Sequence, residues 1–302
     1  MKINCVVVTY NRLHLLKENI KALLSQTYNI NKIIILDNNS DDGTDEYLEE
    51  HKKNELFKII RLEKNIGGAG GFSYGIRCAI EEGCDWVWIM DDDTIPMPNA
   101  LENLLKARDC DNVGYICSKV IWKDETPHHM NIPLFSFKKG DIYLNHYSGK
   151  HPFFLINHAT FVSLLIKTEA VMKVGLPIKE FFIWHDDIEY TSRISKNGYC
   201  GIYVDNSIVI HKTNENYKPH LDVAPVESAW KFYYQIRNTI YLKRVKSKNP
   251  ILFWFSIINK YRRCMRKINK RKDSNKKIFK YYVNKGFIDS IKFNPSVEFI
   301  NK

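Results

Sequence analysis

The sequence predicts an α/β fold, a mostly parallel sheet with helices on both faces, followed by a basic helical appendage. Three observations predict it. Apolar runs of strand length alternate with segments of helical periodicity through the first half of the chain. Each predicted strand ends in polar or glycine-rich residues. Basic residues concentrate late: sixteen of the 45 Lys and Arg, but one of the 34 acids, fall in 243–285. The 302 residues, 44% hydrophobic, suffice for one large domain with an addition. We expect a body over 1–220 and a helical, basic region over 221–302.

The elements follow in order. INCVVV (3–8) reads as a buried strand and LHLLKENIKALLSQ (13–26) as a helix. KIIILD (32–37) is a second strand, and TDEYLEEHKK (44–53) a helix that Ser40 or Thr44 could cap. FKIIRL (57–62), GFSYGIRCAIEE (71–82), DWVWIM (85–90) and NALENLLKA (99–107) continue the alternation. Residues 121–159 read as a long loop or insertion over the site. ATFVSLLI (159–166) is a strand, 186–196 a helix, and YVDNSIVIHK (203–212) a strand that ends on His211. Right-handed crossovers would align the early strands in parallel and put a ligand crevice beyond their carboxyl ends.

Four strands deliver polar or glycine-rich groups to that rim: Thr9-Tyr10-Asn11-Arg12, Asp37-Asn38-Asn39-Ser40, NIGGAGG (65–71) and Asp91-Asp92-Asp93. Adjacent aspartates repel. They suit either a solvated strand end or a hard divalent cation, which takes oxygen ligands and keeps waters or phosphate oxygens for the rest. The glycines could bring backbone amides close to a ligand or simply make a strand-to-helix turn. They match neither a Walker loop nor GxGxxG. Asp37 is either a turn former in DNNSDDGT or a hydrogen-bond acceptor for a base or ribose. WHDDIEY (184–190) opens a helix with Asp186, Asp187 and Glu189. Acids are favoured there by the dipole, and one could equally be a general base beside aromatic walls. His211 is a structural histidine or a metal ligand. His158 and His185 are as ambiguous, and His128 and His129 have no helpful context.

The order TYNR, LDNNSDDGT, NIGGAGGF, MDDDT, WHDDIEY and IVIHK resembles family 2 inverting glycosyltransferases of the GT-A fold, nearest in look to bacterial galactofuranosyl- and rhamnosyl-type transferases. The resemblance covers about 1–215. It implies a nucleotide diphosphate sugar donor, UDP- or dTDP-linked, and a glycan or lipid-linked acceptor. It implies Mn²⁺ or Mg²⁺ on Asp91, Asp93 and His211, and Asp187 as the catalytic base. Thr9, Asn11, Arg12, Asp37, Asn65, Gly68, Gly71 and Asp92 would border the nucleotide sugar. Trp184, His185, Asp186 and Glu189 would meet the acceptor. Two departures stand out: the N-terminal β-rich and long C-terminal helical domains of the large galactofuran polymerases are missing, and NHATF (157–161) lies where those enzymes carry acceptor-side tryptophans. A sugar-nucleotide nucleotidyltransferase would want an Arg/Lys-bearing glycine loop after the first strand. A non-catalytic nucleotide-sugar-binding protein would need no WHDDIEY.

Apart from the tail the chain has a slight acidic excess, which argues against nucleic acid as a partner. Seven cysteines, none spaced CxxC, and no run long enough to span a bilayer suggest a cytoplasmic protein. In PILFWFSIINKYRRCMRKI (250–268), Ile251, Trp254, Phe255, Ile258, Met265 and Ile268 share a helical face near Arg262, Arg263, Arg266 and Lys267. That pattern suits an interfacial helix on an anionic membrane, here the inner face of the cell membrane, or a helix packed on the body or in a homo-oligomer.

Overall fold

The structure is a computed structural model that describes residues 1–135, 153–216 and 220–300. Part of the loop expected over 121–159 lies outside these residues. Among the described residues, one sheet runs β3-β2-β1-β4-β9-β6-β10-β8-β7, with β5 paired to β10. The strands are β1 Ile3–Thr9, β2 Lys32–Asp37, β3 Phe57–Arg61, β4 Trp86–Asp91, β5 Thr94–Pro96, β6 Val113–Ile121, β7 Leu134–Phe135, β8 Phe153–His158, β9 Leu164–Lys167 and β10 Cys200–His211. The first four in the order are parallel, as the alternation with helices requires. Beyond β4 the sheet is mixed, because β9 enters antiparallel between β4 and β6.

The helices are α1 Leu13–Leu24, α2 Thr44–Glu49, α3 Gly67–Glu81, α4 Ala100–Leu105, α5 Thr168–Val174, α6 Asp186–Lys196, α7 Lys231–Lys246, α8 Pro250–Lys270 and α9 Lys276–Asp289. Each sheet face buries its own apolar layer. Val7, Ile35 and Trp88 belong to one; Val6, Ile34 and Ile89, one residue along, belong to the other.

Several expectations change. The helix expected from 71 begins at Gly67, so the glycine run is its first turns rather than a loop. Neither Ser40 nor Thr44 caps α2; Gly43, at φ +85°, occupies that position. β6 was not read from the sequence, yet it lies inside the sheet. Ser118 and Lys119 interrupt its apolar pattern, and Ser118 is buried because its hydroxyl bonds those of Ser163 and Ser207 at 2.6 and 2.7 Å. Of the strand expected over 159–166 only the end forms, as β9 from Leu164, while β8, ending at His158, falls in the span expected to be a loop.

The C-terminal helices pack on one another around Phe232, Ile236, Ile257, Ile268, Phe279 and Val283. The expected membrane face is corrected in part. Ile268 is buried and Met265 packs inward, because Ile257, Cys264 and Ile268 form a second apolar stripe that faces α7 and α9. The exposed apolar set is Ile251, Leu252, Trp254, Phe255, Ile258 and Tyr261, on the first half of α8. Among the described residues no helix is long and apolar enough to cross a membrane.

Candidate active site

Strand register assembles the rim. Thr9 pairs with Asp37 across β1–β2, and Val8 pairs with Asp91 across β1–β4, so three neighbouring strand ends put Asp37, Thr9 and Asp91 side by side. The chain then turns through Asp92 and Asp93 into β5. Thr94 pairs with His211, and the Lys212 N–H donates to the Asp93 carbonyl at 2.8 Å. This short antiparallel pairing carries His211, more than a hundred residues downstream, to the aspartates.

Ligand atoms of Asp91, Asp93 and His211 all lie within 4.8 Å of one another. His211 Nε2 is 3.1 Å from Asp93 Oδ1, and its Nδ1 faces Asn131 Oδ1 at 2.8 Å. An acceptor there holds a proton on Nδ1, so that Nε2, which gives its proton toward Asp93 while the imidazole is charged, is the nitrogen a cation would take on losing that proton. The His128 ring packs against His211, with centroids 4.4 Å apart and planes tilted by 39°. Burial, then the charge of His211, lower His128 to about 4, so this neighbour is neutral. Two carboxylates and an imidazole at this spacing fit a divalent ion of borderline hardness.

Asp92 points elsewhere. It accepts from Thr9 Oγ1 at 2.7 Å and from Arg12 Nη1 at 3.2 Å. The same Arg12 nitrogen reaches Asp93 Oδ2 at 2.7 Å. Burial and then Asp93 raise Asp91 to about 6, against the opposing charges of His211 and Arg12. Burial also raises Asp92, and Arg12 only partly opposes it. For Asp93 burial pulls upward too, but the hydrogen bond and charge of His211, with Arg12, outweigh it and hold the group at about 2. One guanidinium and one imidazole thus leave the aspartate cluster short of positive charge.

α6 carries the second acidic group. Burial is the largest cause raising Asp187 to about 6; the Ile188 N–H, 2.7 Å from Oδ1, opposes it, and Asp91 adds to it. Burial, then Asp187 and also Asp91, raise Asp186 well above the usual carboxylate range. Asp91 acts on both, so the start of α6 lies within electrostatic reach of the metal-type cluster. A half-buried carboxylate with a raised pKa can take a proton near neutral pH.

Residues 5–169 match the family model described as "Glycosyl transferase family 2". The chain belongs to glycosyl transferase family 2. It is 26% identical over 202 residues to "Galactofuranosyltransferase GlfT1" of Mycolicibacterium smegmatis, covering 64% of this chain and 65% of that relative. It is 25% identical over 257 residues to "dTDP-rhamnosyl transferase RfbF" of Shigella flexneri, covering 83% of this chain and 82% of the relative. Among solved structures, GalNAc-T7 with UDP, GalNAc and Mn²⁺ superposes with a TM-score of 0.61 at 16% identity, over 80% of this chain and 51% of that one. The mannosyltransferase PcManGT of Pyrobaculum calidifontis, with GDP-Man and Mn²⁺, gives 0.57 at 14% identity over 96% and 74%. The mixed sheet with flanking helices is the GT-A architecture of these glycosyltransferases.

In this family 2 chain the remaining expected site residues divide. Asn11, at φ +53°, accepts from the Asp41 N–H at 2.8 Å and lines the turn beside Ser40. Asp37 is buried; its Oδ1 accepts from the Ser40 N–H and hydroxyl, while Oδ2 has no hydrogen bond. Asn65 Oδ1 accepts from the Gly67 N–H at the start of α3, and a Cβ on Gly68 would meet open space.

Four positions are redirected. Gly71 is a packing glycine, since a Cβ there would lie 2.7 Å from Val8 Cγ1. Both Glu189 oxygens are held by Arg193, at 2.8 and 2.9 Å, so that carboxylate is a strut. Trp184 packs against Phe232, and His185 Nε2 lies 3.0 Å from Thr239 Oγ1, so both face the C-terminal helices. Sequence reasoning missed Asn131 and gave His128 no role. It also missed Lys231, whose pKa is lowered by burial and then by Arg12, and which feels Asp93. Residue type alone carries no signal for any of the three; only the fold brings them to the rim.

Proposed function

We propose that this chain is a metal-dependent inverting glycosyltransferase. It moves a sugar of the galactofuranose or rhamnose type from a UDP- or dTDP-linked donor to a glycan or lipid-linked acceptor, in bacterial surface polysaccharide synthesis. The observation that carries the reading is the convergence of ligand atoms of Asp91, Asp93 and His211 within 4.8 Å, with Asp187, raised to about 6, within electrostatic reach of Asp91. Asp91, Asp93 and His211 would hold Mn²⁺ or Mg²⁺. Such an ion supplies Lewis-acid stabilisation of the diphosphate charge, worth several kcal/mol.

The chain's own groups do the rest. Asp187 accepts the proton of the acceptor hydroxyl, whose oxygen attacks the anomeric carbon from the side opposite the leaving diphosphate. One displacement inverts the configuration. Asp186, beside it, orients the acceptor. Arg12, with 46% of its side chain exposed, can turn from the aspartates toward the departing phosphates. Thr9, Asn11, Asp37 and Asn65 border the nucleotide, and Asp37 Oδ2, which has no hydrogen bond and lies 3.8 Å from Arg61 Nε, accepts from the base or ribose.

The exposed apolar half of α8, flanked by Arg262, Arg263, Arg266 and Lys267, would rest on an anionic membrane surface and bring the cleft to lipid-linked acceptors. Incubation with Mn²⁺ and a panel of nucleotide sugars tests the main reading. Slow donor hydrolysis that a chelator abolishes is expected. Binding without turnover across the panel would favour a non-catalytic nucleotide-sugar-binding protein instead.

A further inference from the structure

The segment that leads into α6 has an unfavourable backbone. Phe182, Trp184 and His185 have φ of +64°, +64° and +70°, a region that costs a non-glycine residue free energy unless its surroundings enforce it. Two elements grip this segment. From the body, Ala69 N–H donates to the Phe182 carbonyl at 3.1 Å, and Gly67 leaves room for that carbonyl, since a Cβ there would lie 2.2 Å from the oxygen. From α7, Asn238, fully buried, turns its Nδ2 toward three carbonyls: Phe181 at 3.0 Å, Ile183 at 3.2 Å and Trp184 at 2.8 Å. Its Oδ1 accepts from Arg237 Nε and Nη2 at 3.1 and 3.0 Å, which fixes which way the amide faces. Arg237 in turn donates to the Glu180 and Phe181 carbonyls and lies 3.8 Å over the Phe293 ring.

We propose that Asn238, oriented by Arg237, is a positioning residue for Asp187. By satisfying carbonyls that the left-handed turns would otherwise strand, it fixes where α6 begins and aims the Asp187 carboxylate into the cleft. Asn238 touches no substrate; it acts through the 181–185 backbone. The C-terminal helices are therefore part of the catalytic apparatus. This rests on the reading of Asp187 as base.

The test uses the full chain and Asn238→Asp, which keeps the shape and removes both N–H donors. Amide exchange in 181–190 should quicken at least ~10-fold while β1–β4 stay protected, since local opening needs only this segment to loosen. With Mn²⁺ and UDP-galactofuranose or dTDP-rhamnose, kcat for donor hydrolysis should fall at least ~30-fold with KM within about threefold, as a misaimed base predicts. Asp187→Asn/Asn238→Asp should be no slower than Asp187→Asn alone, because the two act as one unit. Unchanged exchange in 181–190, or losses that multiply, would overturn the proposal. Should Asn238→Asp not fold, Arg237→Lys, which cannot span the same acceptors, must loosen 181–190, and unaltered exchange there overturns it equally. If Asp187→Asn keeps full turnover, the base assignment fails, while the exchange result still decides the clamp.

Discussion

At the scale of single residues the proposed mechanism rests on Asp187 and His211. Asp187→Asn should keep nucleotide binding and lose about 10²–10⁴ in rate, the usual contribution of a general base. Nucleotide titration beside a turnover assay checks this. Burial raises the Asp187 carboxyl to about 6, and a base must be ionised to act. Turnover should therefore fall as pH drops through about 6, a limb that a pH profile of kcat would show and that Asp187→Asn should lack. Asn131→Ala removes the acceptor from His211 Nδ1, and a partner of that kind typically changes metal affinity about 10–100-fold. A Mn²⁺ titration of the variant reads that loss directly. The aspartate run and WHDDIEY were legible because charge beside an apolar strand, or at a helix start, is written locally. Asn131 and Asn238 were not, since an asparagine acquires a role only when folding brings the carbonyl or imidazole it serves.

Among the elements, the aspartate turn that leads from β4 into β5 does the joining, through the Thr94–His211 register. Neither β5 nor β6 is legible in the sequence. β5 has only three residues, and β6 hides Ser118 in a hydroxyl network that no apolar pattern announces. The glycine run was legible as important but not in kind. Gly75, further along the same helix, shows the kind: helix propensity alone would favour Gly75→Ala by about 1 kcal/mol, yet a Cβ there would lie 2.4 Å from Val6 Cγ1. We expect overpacking to win, with a net loss of about 1–3 kcal/mol, visible in denaturant unfolding. Gly67→Ala is different in effect. Its Cβ would press on the Phe182 carbonyl, and the damage should appear in turnover as well as in stability.

For the molecule as a whole, the parallel half of the sheet and the basic tail were plain in the sequence, since periodicity and charge survive without knowledge of contacts. The return of the chain to the body was not. Leu176 N–H donates to the Glu298 carbonyl at 2.8 Å, and the Glu298 carboxylate lies between Arg77 at 3.2 Å and Lys179 at 2.6 Å. Ion pairs formed by residues 221 and 119 positions apart leave no local pattern. The exposed Trp254 and Phe255 beside the arginines predict co-sedimentation with anionic liposomes at low salt. Each basic residue near such a surface adds about 1 kcal/mol, so high salt should release the protein. Trp254→Glu/Phe255→Glu should weaken binding at every salt concentration.

The proposed mechanism turns on Asp91, Asp93 and His211, joined by β5 and β10, holding one cation. Electron paramagnetic resonance of Mn²⁺ added with UDP or dTDP tests it most directly. The arrangement predicts one tightly held Mn²⁺ per chain, lost in Asp93→Ala and weakened in His211→Ala, with Asp187→Asn still binding. Equal Mn²⁺ uptake by wild type, Asp93→Ala and His211→Ala would contradict it.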